Sequence, residues 1–164
     1  RISEALIPSQ FKETSIVRAK NMQDCLDLFK LFNEKITIKS SFKQRKIKFV
    51  DHLNWFKKKI KSNKAYIYIF KINNLCIGQV RMDIIKKKIA KIDYSLDKDF
   101  RGRGWGKLML SKAINNIRKN KNIKIFHAEV QKMNFKSIKV FENLFFSRVN
   151  NKNKISFYKN IGLN

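Results

Sequence analysis

Three of the chain's five glycines stand at alternate positions in one short segment, RGRGWG, residues 101–106. The segment lies between an apolar stretch that alternates like a strand and one with helical spacing, so its backbone N–H groups fall at a predicted helix N-terminus. Glycines let a backbone come close to a ligand, and Arg101, Arg103 and Lys107 add positive charge. The segment therefore predicts a binding site for a phosphate or pyrophosphate group.

Two common phosphate-binding loops do not match this segment. A Walker loop ends in Gly-Lys-Ser/Thr, whereas Lys107 is followed by Leu108. A dinucleotide-binding loop has the spacing Gly-x-Gly-x-x-Gly, whereas Gly102, Gly104 and Gly106 are two residues apart throughout. The other alternative is a glycine-rich turn without a ligand, which does not account for three glycines and two arginines.

The sequence before the loop predicts a strand and two helices. The segment SIVRAK is predicted to be a strand, followed by a helix capped by Asn21 and by a polar loop, SSFKQRK. A second helix begins at about Lys48, and we expect His52 and Trp55 to lie off its apolar stripe. That stripe is predicted to contain Phe49, Leu53, Phe56 and Ile60.

Strands of an antiparallel meander come next. The segments AYIYIFKI, CIGQVRMDII and IAKIDYSL are joined by predicted turns at Asn73-Asn74 and at residues 86–88. A helix from about Gly104 to Lys119 then leads to IKIFHAEV, a strand that a helical crossover makes parallel to its neighbour. A helix capped by Asn134 and a hairpin of FSRV with KISFYK complete the chain. The sequence thus predicts an α/β fold with a mixed central sheet flanked by helices.

The bulk composition predicts one globular domain. Residues 1–14 are predicted to be an extension or linker and residues 15–164 the domain. No apolar run reaches the ~20 residues that a membrane span requires, and Cys25 and Cys76 form no short-spaced pair, so we expect a cytoplasmic protein. No metal site and no oligomeric state follow from the sequence.

The net charge of +26 bears on the partners. The lysines are dispersed through every segment, which favours a drift of composition over a nucleic-acid-binding surface. This charge disfavours a cationic protein or polyamine as substrate and favours an anionic, nucleotide-linked small molecule.

The segment Arg101-x-x-Gly104-x-Gly106, preceded by Phe100, resembles the pyrophosphate loop of the GNAT superfamily of N-acetyltransferases. The resemblance extends over about residues 16–159 and implies the GNAT fold, with acetyl-CoA as cosubstrate. It also implies that Asn134 contacts the pantetheine arm, while Phe141 stands where the superfamily commonly has a Tyr that protonates the leaving thiolate. Phe145 stands where Gly is usual. The cofactor-binding residues that we expect are Ser95, Leu96, Arg101, Gly102, Arg103, Gly104, Trp105, Gly106, Lys107, Asn134, Ser137 and Phe141.

Two further segments, HLNWFKKKI and IGQVRMD, are similar to aminosugar N-acetyltransferases of pseudaminic-acid and related nonulosonate pathways. That resemblance implies transfer to the 4-amino group of a UDP-linked 4-amino-4,6-dideoxy sugar. It also implies that His52 and Trp55 form an acceptor wall, that is, one side of the acceptor-binding site, and that Arg81 contacts the phosphates of the nucleotide or the hydroxyls of the sugar. It would also suit a fusion to a sugar-pathway enzyme. The alternatives are an N-acetyltransferase of a protein N-terminus or small amine, and a non-catalytic GNAT domain that binds CoA or RNA.

Acetyl transfer to an amine requires a base and benefits from an acid. Asp93 and Glu129 lie on the two strands expected to flank the acetyl group, and His127 shares a strand face with Glu129. A thiol pKa near ~8.5 makes the thiolate a tolerable leaving group, so a dedicated acid is helpful and not obligatory, and Phe141 in place of Tyr is compatible with catalysis. Tyr94 could donate the proton instead. Each of these four also has a structural alternative, as a surface charge or as an aromatic packed in a strand.

Overall fold

The computed structural model describes residues 13–162, which form a mixed seven-stranded sheet flanked by helices. The elements in chain order are β1 (Thr14–Arg18), α1 (Met22–Phe32), α2 (Lys35–Ser40), α3 (Phe49–Lys61), β2 (Ala65–Ile72), β3 (Leu75–Lys86), β4 (Ile89–Leu96), α4 (Trp105–Asn120), β5 (Ile125–Gln131), α5 (Phe135–Asn143), β6 (Ser147–Asn150) and β7 (Lys154–Asn160). A single 3₁₀ turn, Lys98–Phe100, lies between β4 and α4.

The sheet topology confirms the predicted fold class. The strand order is β1-β2-β3-β4-β5-β7-β6, with β4 and β5 parallel and the other neighbours antiparallel. Asn73 and Asn74 form the tight turn between β2 and β3 with φ of 46° and 66°, a conformation that Asn tolerates well. The capping side chains of Asn21 and Asn134 accept hydrogen bonds from Asp24 N and Ser137 N, so both predicted helix starts are also confirmed.

Strands β4 and β5 diverge at one end. They pair only where Ile89–Ile92 lie beside Ile125–Ala128, and β4 continues to Leu96 paired with β3 alone. The N–H of Asp97 donates to Ile77 O of β3 at 2.7 Å. Because peptide groups along a strand point alternately to either side, those of Tyr94 and Leu96 point into the gap that β5 leaves. The gap opens the sheet at its centre.

The two faces of the sheet are covered differently. On one face, α4 and α5 pack on the main core, in which Trp105, Phe126, Phe141 and Phe157 are almost completely buried. On the other face, α1 and α3 cover a smaller cluster around Cys25, Leu28, Phe56, Ile67 and Ile69. The apolar positions of β2 and β3 therefore serve both faces, whereas β5 alternates buried and half-buried residues.

Two details differ from the expectations. Helix α2 lies in a stretch for which no helix was predicted, because KITIKS is short, rich in β-branched residues and has no side-chain cap at Glu34. In α3 the predicted stripe residues Leu53, Phe56 and Ile60 pack on the smaller cluster. Phe49 is 37% exposed, and His52, which was expected to lie off the stripe, is buried. The predicted extension, residues 1–14, lies outside the described residues except for residues 13 and 14.

Candidate active site

The glycine segment adopts the conformation that only glycine takes readily. Gly102 has φ of 74° and Gly104, the N-cap of α4, has φ of 89°. The first intrahelical bond of α4 runs from Leu108 N to Gly104 O, so the N–H groups of Gly106 and Lys107 lie in the first turn, ahead of the helix's own bonding pattern. This end of a 16-residue helix therefore offers N–H donors and a positive dipole to an anion.

A cavity of about 720 Å³ occupies the gap between β4 and β5 and extends to the glycine segment. Its walls come from the ends of both strands, from α5 and from the segment of residues 36–42, which we term the α2 arm. The expected cofactor-binding residues that line it are Ser95, Leu96, Arg101, Gly102, Gly104, Gly106, Lys107, Asn134, Ser137 and Phe141. The structure thus brings ten of the twelve together, from three separate parts of the chain.

Trp105 and Arg103 are the two exceptions. Trp105 is 0% exposed, with its ring centroid 6.0 Å from those of Phe70 and Phe100. Because the ring is packed inside the core, the side chain of Trp105 does not line the cavity, and Trp105 as a cofactor-binding residue stays a prediction. Its role is to anchor the start of α4. Arg103 is half-buried and is not among the lining residues.

Arg101 connects three elements. Its Nε donates to Leu96 O and its Nη2 to Thr37 Oγ1, both at 2.8 Å. Burial lowers the pKa of the Arg101 guanidinium, and the nearby Glu34 opposes that shift. Burial also raises the pKa of the Glu34 carboxyl, as does the adjacent Asp97. Arg101 therefore braces the α2 arm against the end of β4, although its side chain was expected to add charge for a phosphate.

Tyr94 reaches from β4 to α5. Its hydroxyl lies 2.8 Å from Ser137 Oγ, and its ring meets that of Phe141 edge-on at 5.8 Å. Burial raises the pKa of Tyr94 to about 12, so its hydroxyl stays protonated at neutral pH. Phe141 itself is 2% exposed and stacks on Phe157 at 5.2 Å. Tyr94 thus presents a hydroxyl to the cavity beside the ring of Phe141, which has none.

The two candidate carboxylates differ in their surroundings. Burial by itself raises the pKa of Glu129, but the ammonium groups of Lys154 and Lys91 outweigh burial and hold it at about 2. Asp93 is half-exposed, and its Oδ2 lies 3.3 Å from Gln79 Nε2 and 3.8 Å from Arg81 Nη1. Both carboxylates line the cavity. Glu129 is held in short ion pairs with two lysines, whereas Asp93 has one longer ionic contact.

His127 packs beside the cavity and is not one of its lining residues. Its ring stacks on that of Tyr158 with centroids 4.6 Å apart, and its Nε2 is 4.0 Å from Glu129 Oε1. Burial lowers the pKa of His127 more than Glu129 raises it, which favours the neutral imidazole. The expected proximity of His127 to Glu129 is present, but only Glu129 lines the cavity.

The three residues expected to bind the acceptor lie outside the cavity. His52 is 1% exposed, its Nε2 donates to Cys25 O at 2.8 Å, and burial lowers its pKa. Trp55 packs against His52 and Phe32 with centroids 5.5 and 5.7 Å apart. These positions contradict an acceptor wall, because both rings are used to pack α3 on α1. Arg81 Nε is paired with Asp83 Oδ2 at 2.9 Å, and its guanidinium lies 5.7 Å from the Trp55 ring.

Some cavity residues had no sequence signal. The α2 arm contributes Ile36, Thr37, Ser40, Ser41 and Phe42, which belong to a stretch that was expected to be largely loop. The arm is fastened by Gln131, whose Nε2 donates to Ser41 O at 2.6 Å. Gln79 was also omitted; it does not line the cavity but contacts Asp93, which does. A polar residue in the middle of an apolar strand was a signal that could have identified it.

The combined geometry suits a long, phosphate-bearing thioester. The N-terminus of α4 can hold the phosphates, and the peptide groups of Tyr94 and the N–H of Leu96 can pair with amides. Asp93 and Tyr94 bring a carboxylate and a phenol to the gap. Within residues 13–162 no three His, Cys, Asp or Glu side chains are grouped closely enough to hold a metal ion. No helix in the same part of the chain is long and apolar enough to cross a membrane. The helix N-terminus, the peptide groups of β4 and the carboxylate and phenol at the gap fit an acyl-transfer site.

The model of the Acetyltransferase (GNAT) family matches residues 26–146, more than half of the chain, and the chain belongs to this family. It is thus an N-acetyltransferase for which acetyl-CoA is the donor. No curated protein matches the chain in a sequence search.

Solved structures share the fold at low sequence identity. Spermidine N-acetyltransferase from Vibrio cholerae, in complex with CoA and spermine, is 15% identical with a TM-score of 0.80. The matched region covers 90% of this chain and 95% of the Vibrio cholerae chain. The yncA protein of Salmonella typhimurium, with acetyl-CoA, is 13% identical with a TM-score of 0.75, covering 92% and 95%. N-acetyltransferase PseH from Campylobacter jejuni is 17% identical with a TM-score of 0.69, covering 91% and 99%.

Proposed function

We propose that this enzyme transfers the acetyl group of acetyl-CoA directly to the amino group of a nucleotide-linked aminosugar, of the UDP-4-amino-4,6-dideoxy type. The observation that carries the transfer is the gap between β4 and β5, where peptide groups of β4, a carboxylate and a phenol line one cavity together with the N-terminus of α4. Acetyl-CoA supplies an activated acetyl thioester that the amine attacks.

The chain's own groups divide the binding of the donor between three elements. The N–H groups at the start of α4 and the ammonium of Lys107 hold the pyrophosphate. The peptide groups of Tyr94 and the N–H of Leu96 pair with the amides of the pantetheine arm, while Leu96 O accepts from Arg101. The side chain of Asn134 uses Oδ1 to cap α5, which leaves its amino group for the same arm.

Asp93 acts as the base in this proposal. It lines the cavity and is half-exposed, so an incoming ammonium group is attracted to it and can pass a proton through it or through an adjacent water. Glu129 is less suited, because two ammonium groups hold its pKa at about 2. A carboxylate with so low a pKa is a weak base.

Tyr94 stabilises the leaving thiolate in this proposal. Its pKa of about 12 lies above the ~8.5 of an ordinary thiol, so complete proton transfer from the phenol to the thiolate is uphill. The hydroxyl therefore acts as a hydrogen-bond donor, oriented by Ser137, and a water completes the protonation. Tyr94 thus takes the role that the superfamily commonly gives to a Tyr at the position that Phe141 occupies in this chain.

The acceptor class is supported by charge and by the two segments HLNWFKKKI and IGQVRMD, which resemble aminosugar N-acetyltransferases. A net charge of +26 attracts an anionic nucleotide sugar and repels a polyamine. Because His52 and Trp55 are packed away from the cavity, we propose that the acceptor lies against the α2 arm, where Ile36 and Phe42 are 47% and 56% exposed.

A second candidate is a small amine or a protein N-terminus. The observation in its favour is Asp93, a half-exposed carboxylate that would attract an ammonium group without requiring a nucleotide. A third, a domain that binds CoA without catalysis, is favoured by the absence of a hydroxyl at Phe141.

A thiol-release assay separates these candidates. Wild-type protein and acetyl-CoA are offered UDP- and dTDP-linked aminosugars, polyamines and peptides with free N-termini. Turnover restricted to the nucleotide sugars supports the proposal, and turnover of polyamines or peptides alone overturns the acceptor class. Isothermal titration with CoA is run alongside, since binding of CoA without turnover of any amine would favour the non-catalytic domain.

A further inference from the structure

Gln79 is a polar side chain in the middle of the buried strand β3. The residue is 0% exposed, and its neighbours Gly78 and Val80 are also buried. In the register of the sheet Gln79 stands opposite Ser95 of β4. It does not line the cavity, so neither donor nor acceptor reaches it directly.

The amide of Gln79 is satisfied on one side only. Its Nε2 donates to Asp93 Oδ2 at 3.3 Å and to Ser95 Oγ at 3.4 Å. Its Oε1 is buried and has no hydrogen-bond partner among the described residues. Exchanging the positions of Oε1 and Nε2 would not satisfy the amide. Oε1 would then face the carboxylate of Asp93, and two hydrogen-bond acceptors repel each other.

Burial of an unpaired amide oxygen carries a desolvation cost that an apolar side chain of the same length would avoid. The contacts with Asp93 and Ser95 are long for hydrogen bonds, so they do not fully offset this cost. A buried polar group that lowers the stability of the fold is typical of positions that serve the active site. What Gln79 contacts is the carboxylate that the proposed function makes the base.

We propose that Gln79 is a positioning residue that holds the Asp93 carboxylate in the orientation required to receive the acceptor amine; this inference rests on the proposed function. Both Gln79 Nε2 and Arg81 Nη1 approach the same oxygen, Oδ2, at 3.3 and 3.8 Å. Oδ1 is therefore the oxygen left for the amine. Without the amide donor, only the longer contact with Arg81 restrains the half-exposed carboxylate, so a smaller fraction of the molecules holds it in the orientation that receives the amine.

The test replaces Gln79 with Met, which has a similar length but neither donates nor accepts. We expect Gln79→Met to lower kcat about tenfold or more with the amine that turns over in the acceptor panel, since a hydrogen bond to a charged group is lost. The KM for acetyl-CoA should stay unchanged. The Tm should stay equal or rise, because the unpaired Oε1 is removed.

The matched control is Gln23→Met. Gln23 is an exposed residue of α1 whose Nε2 donates to Asp27 Oδ1 at 2.9 Å, so this variant breaks the same kind of pair away from the cavity. It should keep the wild-type kcat. A Gln79→Met variant with the control's kcat, or with a lower Tm and a raised KM for acetyl-CoA, would overturn the positioning role and indicate a purely structural residue.

A double-mutant cycle separates this inference from the proposed function. If Gln79 acts through Asp93, adding Gln79→Met to Asp93→Asn should lower kcat no further. Equal losses in both backgrounds overturn the positioning role. A wild-type kcat in Asp93→Asn refutes the base assignment, whereas a loss in Asp93→Asn with none in Gln79→Met refutes Gln79 alone. Crystal structures give a measurement without turnover: the Asp93 side chain should shift in Gln79→Met, and an unchanged side chain contradicts the proposal.

Discussion

The hydroxyl of Tyr94 on β4 lies 2.8 Å from Oγ of Ser137 on α5. This hydrogen bond joins two walls of the cavity. It lies beside Phe141, whose ring contacts that of Tyr94 and carries no hydroxyl. The two residues are 43 positions apart in the chain.

Tyr94→Phe is expected to lower kcat by about 10- to 100-fold, because a hydrogen bond to a developing thiolate contributes about 1.5–3 kcal/mol. The KM for acetyl-CoA should change little, since the ring and its contact with Phe141 remain. Steady-state thiol release measures both. Tyr158→Phe, which keeps its stack on His127 and lies outside the cavity, is the control. Equal kcat values in the two variants would remove Tyr94 from the mechanism.

Asp93→Asn and Glu129→Gln are expected to differ in activity. Loss of a general base typically costs about 10²- to 10⁴-fold, so Asp93→Asn should fall in that range. Glu129→Gln should keep kcat within about threefold of the wild-type value. The Glu129 carboxylate is already paired with two lysines and is therefore a weak base. The measurement is kcat at saturating acetyl-CoA. The reverse order of effects would transfer the role of base to Glu129.

The ion pairs of Glu129 predict an acid-labile contribution to stability. The folded-state pKa is about 2, below the ordinary value of 4.5, so the stabilisation is complete above about pH 4.5 and is lost as the pH falls towards 2. The Tm difference between wild type and Glu129→Gln should therefore shrink over this interval. Glu142→Gln, which breaks an exposed pair with Arg148, is the control and should show a smaller change. A Tm difference independent of pH contradicts the ion-pair account.

Two glycine substitutions separate backbone strain from ligand access. Gly104→Ala places a Cβ at φ of 89°, so it should destabilise the fold by about 1–2 kcal/mol and weaken CoA binding as well. Gly102→Asn keeps the left-handed conformation, and the nearest atom to an added Cβ is Lys136 Nζ at 4.0 Å. It should leave the Tm unchanged and weaken only CoA binding. Thermal unfolding and isothermal titration with CoA report the two effects, and unaltered CoA affinity in both variants would exclude this loop as the phosphate site.

Arg101→Ala is expected to destabilise the fold by at least about 1.5 kcal/mol, because the guanidinium makes two hydrogen bonds and stands between Glu34 and Asp97. Thr37→Val breaks only the bond to the α2 arm and should cost about 0.5–1.5 kcal/mol. Both variants should raise the KM for the acceptor. Chemical denaturation measures the free energy of unfolding. Unaltered stability in Arg101→Ala together with weaker CoA binding would instead show that its side chain binds phosphate.

Much of the fold could be predicted because its signals are local. The caps at Asn21 and Asn134 and the turn at Asn73-Asn74 each depend on a side chain and its own backbone, so they are legible in sequence. Helix α2 was missed because its own residues do not favour a helix and it is held by Arg101 from 64 positions away. His52 was misplaced because its burial depends on the carbonyl of Cys25, which makes an imidazole acceptable inside the cluster.

The sequence by itself determined where the left-handed backbone of the glycine segment lies, since that conformation follows from the residue type alone, and from it we predicted the phosphate site. It also determined that β4 precedes this segment and α4 follows it. Only the tertiary structure decided which side chains serve the cavity: that Trp105 is core, that Arg101 is a brace, and that Asp93 rather than Glu129 is the less constrained carboxylate. The physical reason is that a charge or ring acquires its role from its neighbours, and those neighbours lie tens of residues away, as Ser41 lies 90 residues from Gln131.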